Sequence, residues 1–194
     1  LRIKPNYAEA YYNLGIAYKD KGLTDKAIEH YQIALKLNPD YAEAYNNLGL
    51  SYYNKGLTDM AIAEYQIALR INPNYAEAYN NLGAAYGDKG MTDKAIEHLQ
   101  VALRLKPDYA EPHNNLGIIY GTMGSLDKAV EHLQIALRLK PDYADGYTNL
   151  GSAYAKKGML EEAIRQYRIA LRLNPKDEIA RDNLNRILQI QRSK

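Results

Sequence analysis

"NPNYAEAYNNLG" runs from Asn72 to Gly83, and near copies stand at Asn38 to Gly49 ("NPDYAEAYNNLG") and Lys106 to Gly117 ("KPDYAEPHNNLG"). Working outward from these copies, a Leu-Gly step recurs with a period of 34 residues at Gly15, Gly49, Gly83, Gly117 and Gly151. A second glycine recurs at Gly22, Gly56, Gly90, Gly124 and Gly158, and a proline at Pro5, Pro39, Pro73, Pro107, Pro141 and Pro175. The repeats are therefore 8–41, 42–75, 76–109, 110–143 and 144–177, and the first two share 23 of 34 residues. Residues 1–7 ("LRIKPNY") match the last seven positions of a repeat and read as the tail of one that precedes Leu1, with the true N-terminus absent.

Each repeat reads as two helices. In 42–75, Leu48 and Tyr52 lie four apart, as one helical face requires. Gly56 breaks the pattern, and Ala61, Ile62, Tyr65, Ala68 and Leu69 form a second apolar stripe. Asn72-Pro73 ends it, because proline cannot continue a helix and restricts the residue before it. Asp40 and Asn74, three before Glu43 and Glu77, predict capping boxes. Thr58 and Asp59 predict a cap and an N-terminal acid for the second helix. Ala44, Gly49, Ala61 and Ala68 allow close helix approach, and Tyr52, Tyr65 and Leu69 fill the space between repeats. A two-helix repeat cannot bury both faces alone, so neighbours must stack.

Composition sets few limits. The chain has 194 residues and a net charge of +2, which excludes a global field for nucleic acid. Residues 144–194 carry ten Lys/Arg against six Asp/Glu, a mild basic excess at the C-terminal end. With no cysteine there are no disulfides or thiolate metal sites. No apolar run approaches the ~18 residues of a membrane span, so membrane insertion is not expected. The compartment stays open, cytoplasmic by default.

The pattern resembles the tetratricopeptide repeat. The residues that carry the resemblance are Tyr45, Leu48, Gly49, Tyr52, Ala61, Tyr65, Ala68 and Pro73 of the second repeat, with the same slots filled in the other four. His113 replaces the first tyrosine, and Leu99 and Leu133 replace Tyr65. The resemblance implies an all-α fold: one right-handed solenoid domain over 1–194, built from antiparallel helix pairs whose first helices line a concave groove. Residues 178–194 continue the register as a capping helix, with Ile179, Leu184, Ile187 and Leu188 as its apolar side and Arg181, Asp182, Asn185 and Arg186 as its polar side.

Counting Ala42 as position one, position six is asparagine in every repeat: Asn13, Asn47, Asn81, Asn115 and Asn149. Asparagine costs roughly 0.5–0.7 kcal/mol against alanine in a helix interior, so five such choices ask for a reason. An amide offers two donors and an acceptor. It can fix the stacking by bonding the next repeat, or grip the main chain of an extended peptide. The second role is what resemblance to the superhelical repeat region of O-linked N-acetylglucosamine transferases implies for this row. Position five (Tyr12, Asn46, Asn80, Asn114, Thr148) and position two (Glu9, Glu43, Glu77, Glu111, Asp145) are expected on the groove face. The acids of position two also suit a helix start. Position twelve shrinks from Lys19 and Tyr53 to Gly87, Gly121 and Ala155, which would widen the groove in later repeats.

A carboxylate clamp of the chaperone-binding kind needs paired bases in the groove, and Lys19 and Lys156 read as isolated. His30, His98 and His132 share position 23 beside glutamates and read as a solvated outer face rather than metal ligands, while His113 reads as a packed substitute for an aromatic ring. No catalytic or nucleotide-binding motif occurs, and no cofactor is called for. The series Arg165, Arg168, Arg172, Arg181 and Arg186 lacks interleaved aromatics, so nucleic acid is not expected as a partner. The expected function is a non-enzymatic interaction scaffold that holds an extended peptide of a protein partner in the groove. The alternatives are self-association through the N-terminal end, or the substrate-recruiting arm of a larger enzyme such as a glycosyltransferase.

Overall fold

The structure, a computed structural model, describes residues 7–192 and the side chains of 7–191. Of the expected N-terminal tail only Tyr7 falls within it; the rest lies outside the described residues, as do the last two residues of the expected cap. Among the described residues there are eleven helices and no strand. They are α1 (Tyr7–Asp20), α2 (Thr24–Leu37), α3 (Ala42–Asn54), α4 (Thr58–Ile71), α5 (Ala76–Asp88), α6 (Thr92–Leu105), α7 (Ala110–Thr122), α8 (Leu126–Leu139), α9 (Ala144–Lys156), α10 (Leu160–Leu173) and α11 (Glu178–Arg192). The chain forms two compact units, Leu1–Leu105 with α1–α6 and Lys106–Lys194 with α7–α11. Within each unit the two helices of a repeat pack on each other, and the second packs on the first helix of the next repeat. First helices also meet: α3 with α5, α7 with α9, and α9 with α11.

The close approach within a repeat rests on the Leu-Gly glycine. A Cβ on Gly49 would lie 2.7 Å from the Tyr65 ring and 3.1 Å from the Ala61 carbonyl oxygen, so only hydrogen fits. The residue that fills this contact is fully buried whether it is Tyr31, Tyr65, Tyr167, Leu99 or Leu133. The turn to the second helix uses Gly56 at φ 76°, where the Leu57 N–H donates to the Tyr52 carbonyl (3.0 Å) and the Gly56 N–H to the Tyr53 carbonyl (2.9 Å). That pairing closes a helix through a left-handed residue. At the far end Asn72 leaves the helix at φ −125°, ψ 92°.

Two expectations about helix ends need correction. Tyr41 and Tyr75 occupy the N-cap positions of α3 and α5, and Leu57 that of α4, with no side-chain capping bond. Asp40 and Asn74 sit one residue too early to reach the first turn. Their own N–H groups instead donate to the Asn38 and Asn72 side-chain oxygens at 3.2 and 3.1 Å, a local turn across the proline. Thr58 is the first helical residue, so its hydroxyl is past the capping place, while Asp59 does lie in the first turn. A side-chain cap occurs at α11, where Asp177 Oδ1 accepts the Ala180 N–H at 2.9 Å.

The α11 helix covers α10 as expected of a terminal helix, but with a different apolar edge. Ala180, Leu184, Ile187 and Leu188 pack with Ala163, Ile164 and Tyr167. Ile179 is 66% exposed, while its neighbour Ala180 is fully buried in the cluster with α10.

Candidate functional site

The first helices α1, α3 and α5 form one face of the N-terminal unit, and α7, α9 and α11 one face of the C-terminal unit. Along the first helix of repeats two to five, positions seven and eight are committed to the core, as Leu48 and Gly49 show, whereas Leu14 at position seven of α1 is 45% exposed. Position six is half-buried at Asn47, Asn81, Asn115 and Asn149, and exposed at Asn13.

The amides of position six point along the stack. Asn47 Nδ2–H donates to the Tyr12 hydroxyl (2.8 Å), Asn81 Nδ2–H to Asn46 Oδ1 (3.0 Å) and Asn149 Nδ2–H to Asn114 Oδ1 (2.9 Å). Each bond joins position six of one repeat to position five of the repeat before it. Asn80 Nδ2–H in turn donates to Asn81 Oδ1 at 3.3 Å. Position five is not an open groove position, as the helical wheel suggests. Asn46, Asn80, Asn114 and Thr148 are all buried, and within a unit the next first helix closes over this position, as α5 does over Asn46 and α9 over Asn114. Asn46 bonds the Tyr75 hydroxyl, while Thr148 Oγ1–H donates to Asp177 Oδ2 at 2.6 Å. Tyr75 and Asp177 occupy the same repeat position, so position five changes with its partner inside one chain.

Other ladders bind repeat to repeat. Gln32, Gln66 and Gln134 donate to the hydroxyls of Tyr52, Tyr86 and Tyr154 at 3.1, 3.0 and 3.0 Å. Lys55, Lys89 and Lys157 pair with Asp25, Asp59 and Asp127. The sequence reading missed both, although the constancy of these residue types at fixed repeat positions is the signal that finds them. The ion pairs are exposed on the aspartate side and each contributes little to stability.

The N-terminal face is aromatic and acidic. Tyr12 packs on Tyr41 with centroids 4.7 Å apart, and Glu43 is exposed beside them. Burial, then Tyr12, Glu43 and Glu9, push the Tyr41 hydroxyl up to about 12. Burial also raises Tyr75, with Tyr12, Glu43 and Glu77 adding to it. Tyr53, at position twelve, donates its hydroxyl to the Asp88 carboxylate, bridging α3 to α5 across this face.

The C-terminal face is open where small residues replace that tyrosine. A depression of about 150 Å³ lies between α7 and α9, lined by Gly117, Ile118, Gly121, Asn149, Ser152 and Lys156. Ile118 is 42% exposed there. The position-two acid of α7 is neutralised, since Lys140 Nζ–H donates to Glu111 Oε1 at 2.9 Å. A wider cleft of about 410 Å³ follows between α9, α10 and α11, and Ser152, Ala155 and Lys156 belong to its wall.

The position-23 histidines do not form the solvated face expected of them. They lie half-buried against tyrosines of the first helices: His98 on Tyr86 (5.4 Å, 15°), His132 on Tyr120 (5.4 Å, 22°) and His30 against Tyr18 (4.8 Å, 49°). The second helix turns this edge toward its partner, and a flat ring covers the tyrosine better than a solvated one would. His113 is packed as expected, its Nδ1 3.0 Å from His132 Nδ1. Burial holds His98, His113 and His132 below the usual imidazole value. No group of three or more His, Asp or Glu side chains among the described residues is placed to hold a metal ion, and no described helix is long and apolar enough to cross a membrane.

Residues 5–194 match the family model described as the cilia and flagella-associated protein 70 C-terminal domain. No curated protein matches the sequence. Among solved structures, the chain is similar to a thermophilic tetratricopeptide-repeat protein of Thermus thermophilus, at 30% identity and a TM-score of 0.81, covering 94% of this chain and 99% of that one. It is similar to MamA at 33% identity and a TM-score of 0.67, covering 88% and 93%. It is also similar to YrrB, described as a tetratricopeptide-repeat protein with an unusual peptide-binding site, at 25% identity and a TM-score of 0.63, covering 91% of each chain.

Proposed function

Because the chain belongs to the tetratricopeptide-repeat family, whose repeats are protein-interaction scaffolds, we propose that it is a non-catalytic scaffold that holds an extended peptide segment of a partner protein along the first-helix face. The observation that carries this reading is the trough on α7 and α9, where Ile118 and Gly121 leave an apolar floor beside the amide of Asn149 and the ammonium of Lys156. That combination is what a bound main chain needs: few polar groups to orient it, and apolar surface to bury. The peptide-binding site in the description of YrrB supports the same class of ligand.

Within this proposal the row Asn13, Asn47, Asn81, Asn115 and Asn149 acts in two ways. One amide N–H of Asn47, Asn81 and Asn149 bridges repeats. The second N–H of each amide is the donor for a peptide carbonyl. Tyr12, Asn46, Asn80 and Asn114 serve by holding those amides in place, and Glu43 and Glu77 select ligand charge at the N-terminal end.

Peptides selected on the intact chain by phage display test this reading. Ile118→Glu changes an exposed side chain, so the melting temperature should hold while affinity falls at least about tenfold, or ~1.4 kcal/mol. Unchanged affinity in this variant and in Gly121→Tyr would move the binding site off this face and overturn the proposal.

A further inference from the structure

The cleft between α9, α10 and α11 is lined by two cations that hydrogen-bond to uncharged groups. Lys156 stands on α9 and Arg186 on α11, both on its walls, with Leu160 and Ile190 as apolar surface between them. Their hydrogen-bond partners are uncharged: Lys156 Nζ–H donates to the Gly121 carbonyl at 3.2 Å, and Arg186 Nη2–H to Asn183 Oδ1 at 2.8 Å. Lys140, Lys157 and Arg165 of the same unit instead sit on the carboxylates of Glu111, Asp127 and Glu162. Lys156 looks isolated in the sequence, but the fold brings Arg186, thirty positions later in the chain, to the lining of the same cleft. Tyr167 also lines the cleft, with its hydroxyl 3.1 Å from Ser152 Oγ.

The chemistry of this cleft narrows the occupant. A basic segment would be repelled by both walls. A purely apolar one would strip water from two cations without giving them a partner, which is costly. A purely acidic one would leave Leu160 and Ile190 unused. Carboxylates interleaved with aliphatic side chains suit this lining. An extended chain sends alternate side chains to opposite sides with a rise of about 3.3 Å per residue, so one side can carry acids to the two cations and the other aliphatics to Leu160 and Ile190. Lys156 and Ser152 also line the smaller depression over Ile118, so a segment seated here runs on toward α7.

We propose that the α9–α11 cleft takes an acidic–aliphatic segment of a partner protein, with carboxylate side chains between Lys156 and Arg186 and aliphatic ones on Leu160 and Ile190. This rests on the reading of the first-helix face as a peptide site. The test uses the intact chain and three short peptides, N-acetylated and C-amidated so that no terminal charge contributes: Asp interleaved with Leu, Ser interleaved with Leu, and Lys interleaved with Leu. Fluorescence anisotropy should show the Asp/Leu peptide binding about tenfold more tightly than Ser/Leu, with the preference shrinking as salt rises. In a Lys156→Glu, Arg186→Glu variant the order should reverse in favour of Lys/Leu at an unchanged melting temperature. Equal binding of Asp/Leu and Ser/Leu, or an Asp/Leu affinity indifferent to charge reversal yet lost in Gly121→Tyr, overturns the charge assignment and leaves the peptide face standing. Binding of none of the three, with phage-selected peptides indifferent to Ile118→Glu, overturns both. Displacement of Asp/Leu by single-stranded RNA at equal strength would make the cleft a general polyanion site and overturn the proposal, and concentration-dependent dimerisation abolished by the charge reversal would overturn it by assigning the cleft to a second copy.

Discussion

Position twelve of the first helix is Tyr53 in the second repeat and Gly121 in the fourth. In the N-terminal unit the Tyr53 hydroxyl crosses to Asp88, and acids and tyrosines crowd the helix starts around Glu43. In the C-terminal unit the corresponding strip is a trough of small residues, its position-two acid Glu111 held by Lys140, and the cations Lys156 and Arg186 set over aliphatic floor. Both faces are carried on one frame of buried alanines and the Leu-Gly step. Positions two, nine, twelve and thirteen vary from repeat to repeat, while the buried alanines and the Leu-Gly step do not. The two units thus hold the scaffold constant while the first-helix surface differs between them.

The most damaging way to test the shared frame is to attack it equally in both units. Gly49→Val and Gly117→Val each drive a side chain into a filled contact, since a Cβ at Gly117 would lie 2.5 Å from the branching Cγ of Leu133. Each should cost about 3 kcal/mol in urea unfolding, the upper part of the usual range for overpacking. A large loss in one unit and none in the other would break the idea of a common frame.

Next in size are the amides. Asn81→Ala leaves the buried Asn46 oxygen without its donor, and Asn149→Ala does the same to Asn114. An unpaired buried acceptor costs about 1–3 kcal/mol, offset by the ~0.5 kcal/mol that alanine gains as a helix former. A net loss of about 1–2 kcal/mol per site is expected, equal in the two units. A rise in melting temperature would show that the bridging bonds contribute nothing and that the row is kept for a ligand alone.

How much of this was legible beforehand follows from what each residue touches. The period, the helix pairs and the core are set by contacts within about thirty residues, and Gly49 against Tyr65 is visible as a repeated small–large pair. The helical wheel fixes direction around an axis but does not show what the next repeat covers. Asn46 therefore reads as a groove residue, although the following repeat buries it, and His98 reads as solvated, although Tyr86 lies under it. The pairing of Lys156 with Arg186 was illegible for another reason: α11 lies beyond the last full repeat, and its use of a first-helix place is a matter of packing on α9 and α10.

A smaller effect sharpens the contrast at position twelve. The Cβ of an alanine at Gly121 would meet only the Ala129 Cβ, at 3.8 Å, an ordinary contact. Gly121→Ala should therefore raise stability by about 0.5–1 kcal/mol through helix propensity. Gly121→Tyr should not unfold the unit, and it should make the C-terminal trough as closed as the face at Tyr53. Peptide affinity should fall in the tyrosine variant and change little in the alanine one. A fall of equal size in both would show that the glycine is needed for backbone approach rather than for space.

The smallest expected effect is in pH. His98 in the N-terminal unit, and His113 and His132 in the C-terminal unit, all have pKa values lowered by burial from 6.5. The folded chain therefore binds fewer protons than the unfolded one as pH falls through 6.5, and stability declines in that window before levelling off below the folded-state values. Above it these rings are neutral in both states and contribute no pH dependence. Each unit has its own neighbours: Glu97 and Lys94 act on His98, while His132, Arg138, Glu131 and Lys128 act on the coupled pair. Glu97 and Glu131 oppose the lowering, and the lysines and Arg138 add to it. The pair can share one proton along its 3.0 Å Nδ1–Nδ1 contact, but a second leaves two donors facing each other. Tyr79 stands at the equivalent of His113 in the N-terminal unit, so His113→Tyr makes one unit resemble the other. Urea unfolding of the intact chain and of this variant, at about pH 7 and about pH 5, should show a smaller acid loss in the variant by roughly one titrating group. An unchanged pH slope would mean that His113 is not coupled to His132, and a gain of stability on acidification would reverse the sign argued from burial.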